Sequence, residues 1–335
     1  MTKIWFRADG NHKMGLGHLI RSMALAQMLK SDFEVEFVCL EISDRIINDF
    51  TTADIHVIKI NDEQSFFNIV KSNDVVVLDG YQFDIEYQRQ LKSIGCKLVC
   101  IDDVYDKEYV ADLIINPAPG MDKNRYIAPE TTRFALGPDY ALLRSVFTDE
   151  SKFSIKKVKL DTIFICFGGS DAQNLTTRTH LEVKRSNVFS KIYLVTGASF
   201  EHSDELKATI KGDNIVEYFH SLSAEEMVTL MQDSDVAIVP SSGILIEVLA
   251  LGLPAISGFY TDNQKQNYKE YLKQNAFIDA GNFETNQLKS ALMELKQRFD
   301  KNQLNGLGKS VIDGKSPARF LELFIELTNQ VHVSK

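Results

Sequence analysis

The run Gly15-Leu16-Gly17-His18 places an imidazole beside two glycines, just ahead of an amphipathic helical stretch. Glycines let a backbone approach a ligand closely, and a helix start offers unpaired N–H groups and a positive dipole end. Imidazole titrates near neutral pH, so a histidine here suits proton transfer to or from whatever those groups bind. A dinucleotide fingerprint would need a third glycine where the chain has Ile20, which counts against that ligand. A histidine simply packed at a helix start is the plainer alternative.

Two further turns suit anions. Phe167-Gly168-Gly169-Ser170-Asp171 follows an apolar run, pairing two glycines with a Ser/Asp cap. Pro240-Ser241-Ser242-Gly243 leads into Ile244-Leu245-Ile246-Glu247-Val248-Leu249-Ala250. A helix starting there would favour a diphosphate by roughly 1–2 kcal/mol. Glu247 lies one turn into that otherwise apolar helix, where two ribose hydroxyls would satisfy its carboxylate; a solvated glutamate on the exposed face is the alternative.

The elements that carry these groups follow a βαβ rhythm. Short apolar runs at 4–8, 35–40, 56–60, 75–79, 98–102 and 113–116 alternate with helical patterns, clearest at 19–30 and 86–94. Residues 144–159 are polar and aperiodic. The rhythm then restarts, with strands expected at 162–167, 191–195, 215–218, 236–240, 255–258 and 277–279, and helices at 224–233, 244–251, 263–274 and 285–299. This predicts an α/β protein of two doubly wound domains, 1–148 and 149–316, joined near residue 150, with ligand in the cleft between them. Residues 317–328 form a strongly apolar-faced helix that packs either on its own second domain or back on the first.

Several of these pieces together resemble GT-B nucleotide-sugar enzymes of the MurG type. The resemblance implies that Glu247 holds a ribose and that Ser241, Ser242 and Gly243 hold a diphosphate. A closer resemblance is to the UDP-sugar hydrolases of the pseudaminic acid pathway, grouped with spore-coat polysaccharide proteins. It rests on Phe6-Arg7-Ala8-Asp9, the loop from Gly15 to Arg21, Leu78-Asp79-Gly80-Tyr81, Cys100-Ile101-Asp102-Asp103, residues 137–144, Gly168-Gly169-Ser170-Asp171 with Asn174-Leu175, and Asp262-Asn263-Gln264. These cover most of the chain in the right order. The resemblance implies that His18 is catalytic, that Tyr81 and Asn263 fix the sugar and the attacking water, and that Gly15, Gly17, Arg21, Gly168, Gly169, Ser170 and Asp171 bind substrate.

The expected reaction is inverting hydrolysis of a UDP-linked diacetamido-trideoxy sugar, with UDP-sugar as the partner and no cofactor. A glycosyltransferase using the same UDP site, or a non-catalytic nucleotide-sugar-binding protein, are the alternatives. No metal is expected: the one Asp-x-Asp, Asp233-Ser234-Asp235, precedes a strand and reads as a helix stop.

Composition narrows the field further. The chain has 335 residues, 44% of them hydrophobic and 25% charged, within the range of globular proteins. A net charge of −9 with only short basic runs argues against a nucleic-acid partner. No run approaches the ~18 apolar residues that span a bilayer, so no membrane insertion is expected. Four cysteines, Cys39, Cys96, Cys100 and Cys166, match neither a zinc nor a redox spacing and read as reduced core residues of a cytoplasmic protein.

Overall fold

The computed structural model describes residues 2–10, 16–103, 107–148, 159–304, 307–308 and 311–329. Gly15 and most of the polar stretch around residue 150 therefore lie outside the described residues. The chain forms two compact units, Met1–Ser145 with Lys315–Lys335, and Val146–Gly314.

Unit 1 begins with β1 (Lys3–Ala8), α1 (Gly17–Leu29), β2 (Glu34–Cys39), α2 (Asp44–Thr52) and β3 (His56–Lys59). It continues through α3 (Glu63–Ile69), β4 (Val75–Asp79), α4 (Ile85–Ile94), β5 (Lys97–Ile101), β6 (Leu113–Asn116) and β7 (Arg133–Leu136). The strands form one parallel sheet in the order β3-β2-β1-β4-β5-β6-β7. Parallel strands are covered on both faces, and the central strands β1, β4, β5 and β6 are correspondingly buried along nearly their whole length. Their period of two sorts each strand between two cores. Ile4, Phe6, Val75 and Val77 pack under α1 and α2, whereas Trp5, Val76 and Leu78 pack with Phe66 of α3 and Leu91 of α4.

Unit 2 comprises β8 (Thr162–Cys166), α5 (Leu175–Ser186), β9 (Lys191–Thr196), α6 (Ser203–Ile210), β10 (Val216–His220) and α7 (Ala224–Asp233), followed by β11 (Val236–Pro240) and α8 (Gly243–Ala250). It closes with β12 (Ala255–Gly258), α9 (Lys265–Lys273), β13 (Ile278–Asp279) and α10 (Thr285–Asp300). Its parallel sheet runs β10-β9-β8-β11-β12-β13. Both sheets thus reverse direction beside their first strand, and ligands of such sheets bind outside the carboxyl ends of the strands at that reversal.

The expected elements are present with ends shifted by a residue or two. One differs more: the helix expected over 263–274 divides into a 3₁₀ turn, Asp262–Gln264, and then α9. Asp233 and Asp235 stand at the amino end of β11, where Asp233 accepts from the Tyr193 hydroxyl and Asp235 from the amides of Asp161 and Thr162. All four cysteines are buried and free.

The last helix, α11 (Ser316–Asn329), crosses back into unit 1. Phe320, Phe324 and Leu327 join the core under α1. Phe324 meets Phe33 with ring centroids 6.4 Å apart, and Arg319 donates to the Asp139 carbonyl. Phe324→Ala should therefore destabilise unit 1 by about 3–5 kcal/mol, read by urea denaturation.

Within α5, His180 is fully buried, and neither ring nitrogen has a hydrogen-bond partner among the described residues. Burial, helped by Lys184 and opposed by Asp213 at 3.9 Å, holds its pKa below the ordinary histidine value. The folded state therefore disfavours the protonated form. That stability is complete above the unfolded pKa and declines as pH falls from about 6.5 toward the depressed folded value. His180→Gln should flatten the fall in unfolding midpoint between about pH 7.5 and pH 5.5.

Candidate active site

In unit 1 the strand β4 ends on Asp79, which lies opposite Ala8, the last residue of β1. Asp79 shares the sheet face of Val75 and Val77, so its side chain meets α1. No side chain exposure remains to it. Four groups of α1 converge there. His18 Nδ1 lies 2.7 Å from Oδ1, and the Ser22 hydroxyl donates to Oδ2 at 2.8 Å. Arg21 donates from Nε to Oδ2 at 2.8 Å and from Nη2 to Oδ1 at 2.5 Å.

Spacing explains the convergence. Residues 18, 21 and 22 are three and four apart and share a helix face. The same geometry fixes how the imidazole presents Nδ1. Burial pushes the Asp79 carboxyl up, but Arg21, aided by His18, outweighs it and holds the group below the ordinary carboxylate range. An ionised oxygen 2.7 Å from Nδ1 requires a proton on that nitrogen. The Nδ1–H therefore donates to Asp79, and the nearby Arg21 Nη2, 3.0 Å from Nδ1, has nothing to donate to there. Nε2, which carries the lone pair whenever the ring is neutral, has no partner among the described residues. This is the arrangement of an oriented general base.

Asp103, just past β5, extends the cluster. It accepts from Arg21 Nη1 at 2.9 Å and from the Tyr81 hydroxyl at 3.2 Å. The Tyr81 ring, largely exposed, stands at 85° to the His18 ring with centroids 4.9 Å apart. Desolvation together with Asp103 pushes the Tyr81 phenol up to about 12, so it is a hydrogen-bond donor at neutral pH. Arg21, expected to bind substrate, has all three guanidinium nitrogens on Asp79 and Asp103. It holds those two carboxylates in place.

Asp79 and Asp103 are the site residues that the motif reading passed over. Both stand in the matched pieces, and parity with Val75 and Val77 was the available signal for Asp79.

In unit 2 the turns after β8 and β11 flank the corresponding reversal of the sheet. Gly168 adopts a left-handed φ of +82°, and a Cβ on Gly168, Gly169 or Gly243 would meet no atom within 4 Å. These turns therefore present open backbone. Behind them space is tight: a Cβ on Gly197 would lie 2.6 Å from the Gly169 carbonyl oxygen, so the turn after β9 needs a glycine.

Asp171, expected to bind substrate, is buried and accepts from the Leu175 and Thr176 amides of α5 at 2.8 Å each. Ser241 is fully buried, and its hydroxyl lies 3.0 Å from that of Ser257. Both residues hold the turns from inside, whereas Ser170 is exposed and Ser242 half-buried. Helix geometry leaves the Gly243 and Ile244 amides without an intrahelical acceptor. Glu247 is half-buried in α8. Burial pushes the Cys166 thiol up to about 12, and the charges of Glu247 and Asp171 add to it, which places Glu247 by the carboxyl end of β8.

Asn263 lies in the 3₁₀ turn after β12, where its side-chain oxygen accepts from the Thr261 hydroxyl at 2.6 Å. Gln264 accepts from the Tyr260 amide, and the Tyr260 hydroxyl donates to the Phe167 carbonyl, tying this turn to the end of β8. Among the described residues no cluster of His, Cys, Asp and Glu has the arrangement of a metal site. Among them, too, no helix is long and apolar enough to cross a membrane.

Two parallel Rossmann-like sheets in tandem define the GT-B fold, and solved structures agree. MurG of Acinetobacter baumannii superposes with a TM-score of 0.65 at 14% identity, covering 97% of this chain and all of that one. The UDP-GlcNAc 2-epimerase of Neisseria meningitidis, bound to UDP-GlcNAc, gives 0.66 at 12% identity, covering 97% and 100%. No family model matches the chain.

Among curated relatives, an uncharacterised protein of Methanocaldococcus jannaschii is 30% identical over 286 residues, 81% of this chain and 58% of its own length. The UDP-2,4-diacetamido-2,4,6-trideoxy-β-L-altropyranose hydrolase of Campylobacter jejuni is 26% identical over 78% of this chain and 93% of its own. The spore coat polysaccharide biosynthesis protein SpsG of Bacillus subtilis is 23% identical over 96% and 98%. The chain thus has the GT-B fold of these structures and is similar in sequence to this hydrolase and to SpsG.

Asp79→Asn removes the anion that both His18 and Arg21 face. It should destabilise unit 1 by about 3–5 kcal/mol, because Arg21 loses its buried counter-charge. In the ¹⁵N spectrum of neutral His18 it should also convert an Nδ1–H tautomer to predominantly Nε2–H.

Proposed function

We propose that the chain is a UDP-sugar-processing enzyme and, more narrowly, a hydrolase that releases UDP from a UDP-linked diacetamido-trideoxy sugar. The observation that carries this reading is the His18–Asp79 pair: an imidazole oriented through Nδ1–H by a buried carboxylate, with Nε2 left without a partner among the described residues. The kinship with the C. jejuni hydrolase and the UDP-GlcNAc held by the N. meningitidis neighbour support the substrate class.

In this reading Ser170, Ser242 and the first amides of α8 receive the diphosphate, and Glu247 the ribose hydroxyls. The helix dipole and those amides steady the charge that develops on UDP as it leaves. His18 Nε2 takes a proton from water while the water oxygen bonds to the anomeric carbon. The bond from that carbon to the UDP oxygen breaks, and its electron pair leaves with UDP. Attack opposite the leaving group inverts the anomeric centre. Tyr81 and Asn263 position the sugar and the water, with Gly17 leaving room for their approach. The residues that do this work are protein groups, so EDTA should leave the rate unchanged.

A glycosyltransferase is the second reading, favoured by the fold shared with MurG. The two separate in one assay: UDP release from the UDP-sugar alone supports hydrolysis, whereas release only with a sugar or lipid acceptor supports transfer. His18→Ala should lower UDP release by about 10²–10⁴-fold. A rate within a few-fold of the parent would remove His18 from the chemistry.

A further inference from the structure

Beneath the His18 site lies a second, buried charge cluster that the proposed mechanism does not use. Arg7 is on the opposite face of β1 from Phe6 and Ala8, and its side chain is fully buried. Its Nη2 and Nε donate to Glu63 of α3 at 2.6 and 3.2 Å, and Tyr87 of α4 donates to the same carboxylate at 2.7 Å. The guanidinium also lies 5.2 Å over the Phe83 ring, and its Nη1 is 2.8 Å from Asp9 Oδ2.

Asp9 is the hub. Its Oδ1 accepts the Leu40 and Glu41 amides after β2, at 2.7 and 3.0 Å. Its Oδ2 accepts from the Gln82 side-chain amide at 3.2 Å. The next residue, Gly10, donates its amide to the Glu41 carbonyl at 3.0 Å. One carboxylate therefore ties the turns after β2 and β4 to the point where the chain leaves β1 for the His18 helix. Gln82 directly follows Tyr81, and Lys107 holds the far side of the same turn by donating to the Phe83 carbonyl at 3.2 Å.

We infer that Asp9 is a positioning residue which, through Gln82, sets the Tyr81 ring against His18. A buried carboxylate that accepts three hydrogen bonds and is ion-paired with a guanidinium clamped by Glu63 does not drift, whereas Tyr81 is largely exposed and, among the described residues, hydrogen-bonded through its hydroxyl to Asp103. Asp103 fixes the tip of the side chain; Asp9 fixes the backbone turn from which it projects. The consequence for turnover rests on the hydrolase reading, but the geometry does not.

The test uses the whole chain and two readouts. With a ring 4.9 Å away, the carbon-bound imidazole protons of His18 carry a ring-current shift from Tyr81, measurable without substrate and calibrated by Tyr81→Leu. Gln82 is exposed, so its substitutions should leave the melting midpoint unchanged. Gln82→Leu should move the His18 signals more than halfway to their Tyr81→Leu positions. Gln82→Lys, whose ammonium still donates to Asp9, should keep the parental positions. Turnover of the UDP-diacetamido sugar should fall about ten-fold in Gln82→Leu, with no further fall when that change is added to Tyr81→Leu. His18 signals that stay parental in Gln82→Leu, or that move equally in both Gln82 variants, would overturn the inference. If the signals behave as expected while the parent releases no UDP, the positioning role stands and the hydrolase reading falls.

Discussion

A buried carboxylate at the carboxyl end of β4 organises the first unit. Asp79 is excluded from solvent, and an unpaired charge there would be strongly destabilising. Arg21 neutralises it, Ser22 and His18 fill its remaining hydrogen-bonding capacity, and all three come from one helix face. The orientation of α1 is thereby coupled to the sheet. So is the tautomer of His18, because an ionised Oδ1 demands a proton on Nδ1. The ion pair that secures the helix and the hydrogen bond that orients the imidazole share one side chain.

The two units use the same sheet topology for different ends. Each reverses strand order beside its first strand, opening a place for ligand at the strand carboxyl ends. Unit 1 fills that place with titratable side chains: His18, Asp79, Arg21, Asp103 and Tyr81. Unit 2 offers glycine backbone, small hydroxyl residues and the start of α8, with polar side chains such as Asp171 and Ser241 turned inward to hold the turns. Titratable side chains and open glycine backbone are thus segregated by fold unit.

Much of this was legible before any coordinates. The alternating apolar runs predict two parallel sheets because strands covered on both faces must be apolar along their length. The position of His18 follows from a strand, a glycine-rich turn and a helix start. What spacing does not show is which carboxylate faces which base. Asp79 and His18 are 61 residues apart, and their contact depends on β4 lying beside β1 rather than at an edge. Arg21 is instructive for the same reason: spacing does not show that two acidic residues distant in sequence, Asp79 and Asp103, take a hydrogen bond from each of its three guanidinium nitrogens. The apolar face of α11 is plain in residues 317–328, whereas its partner α1 lies nearly 300 residues away and emerges only on folding.

The central claim is that water, activated at His18 Nε2, attacks the anomeric carbon of a UDP-sugar. Turnover of a UDP-diacetamido sugar in H₂¹⁸O, followed by NMR and mass spectrometry, addresses it directly. The account predicts one ¹⁸O in the anomeric hydroxyl of the released sugar, none in UDP, and an inverted anomer as the first product. Label on the β-phosphate of UDP, or a retained anomer, would contradict it.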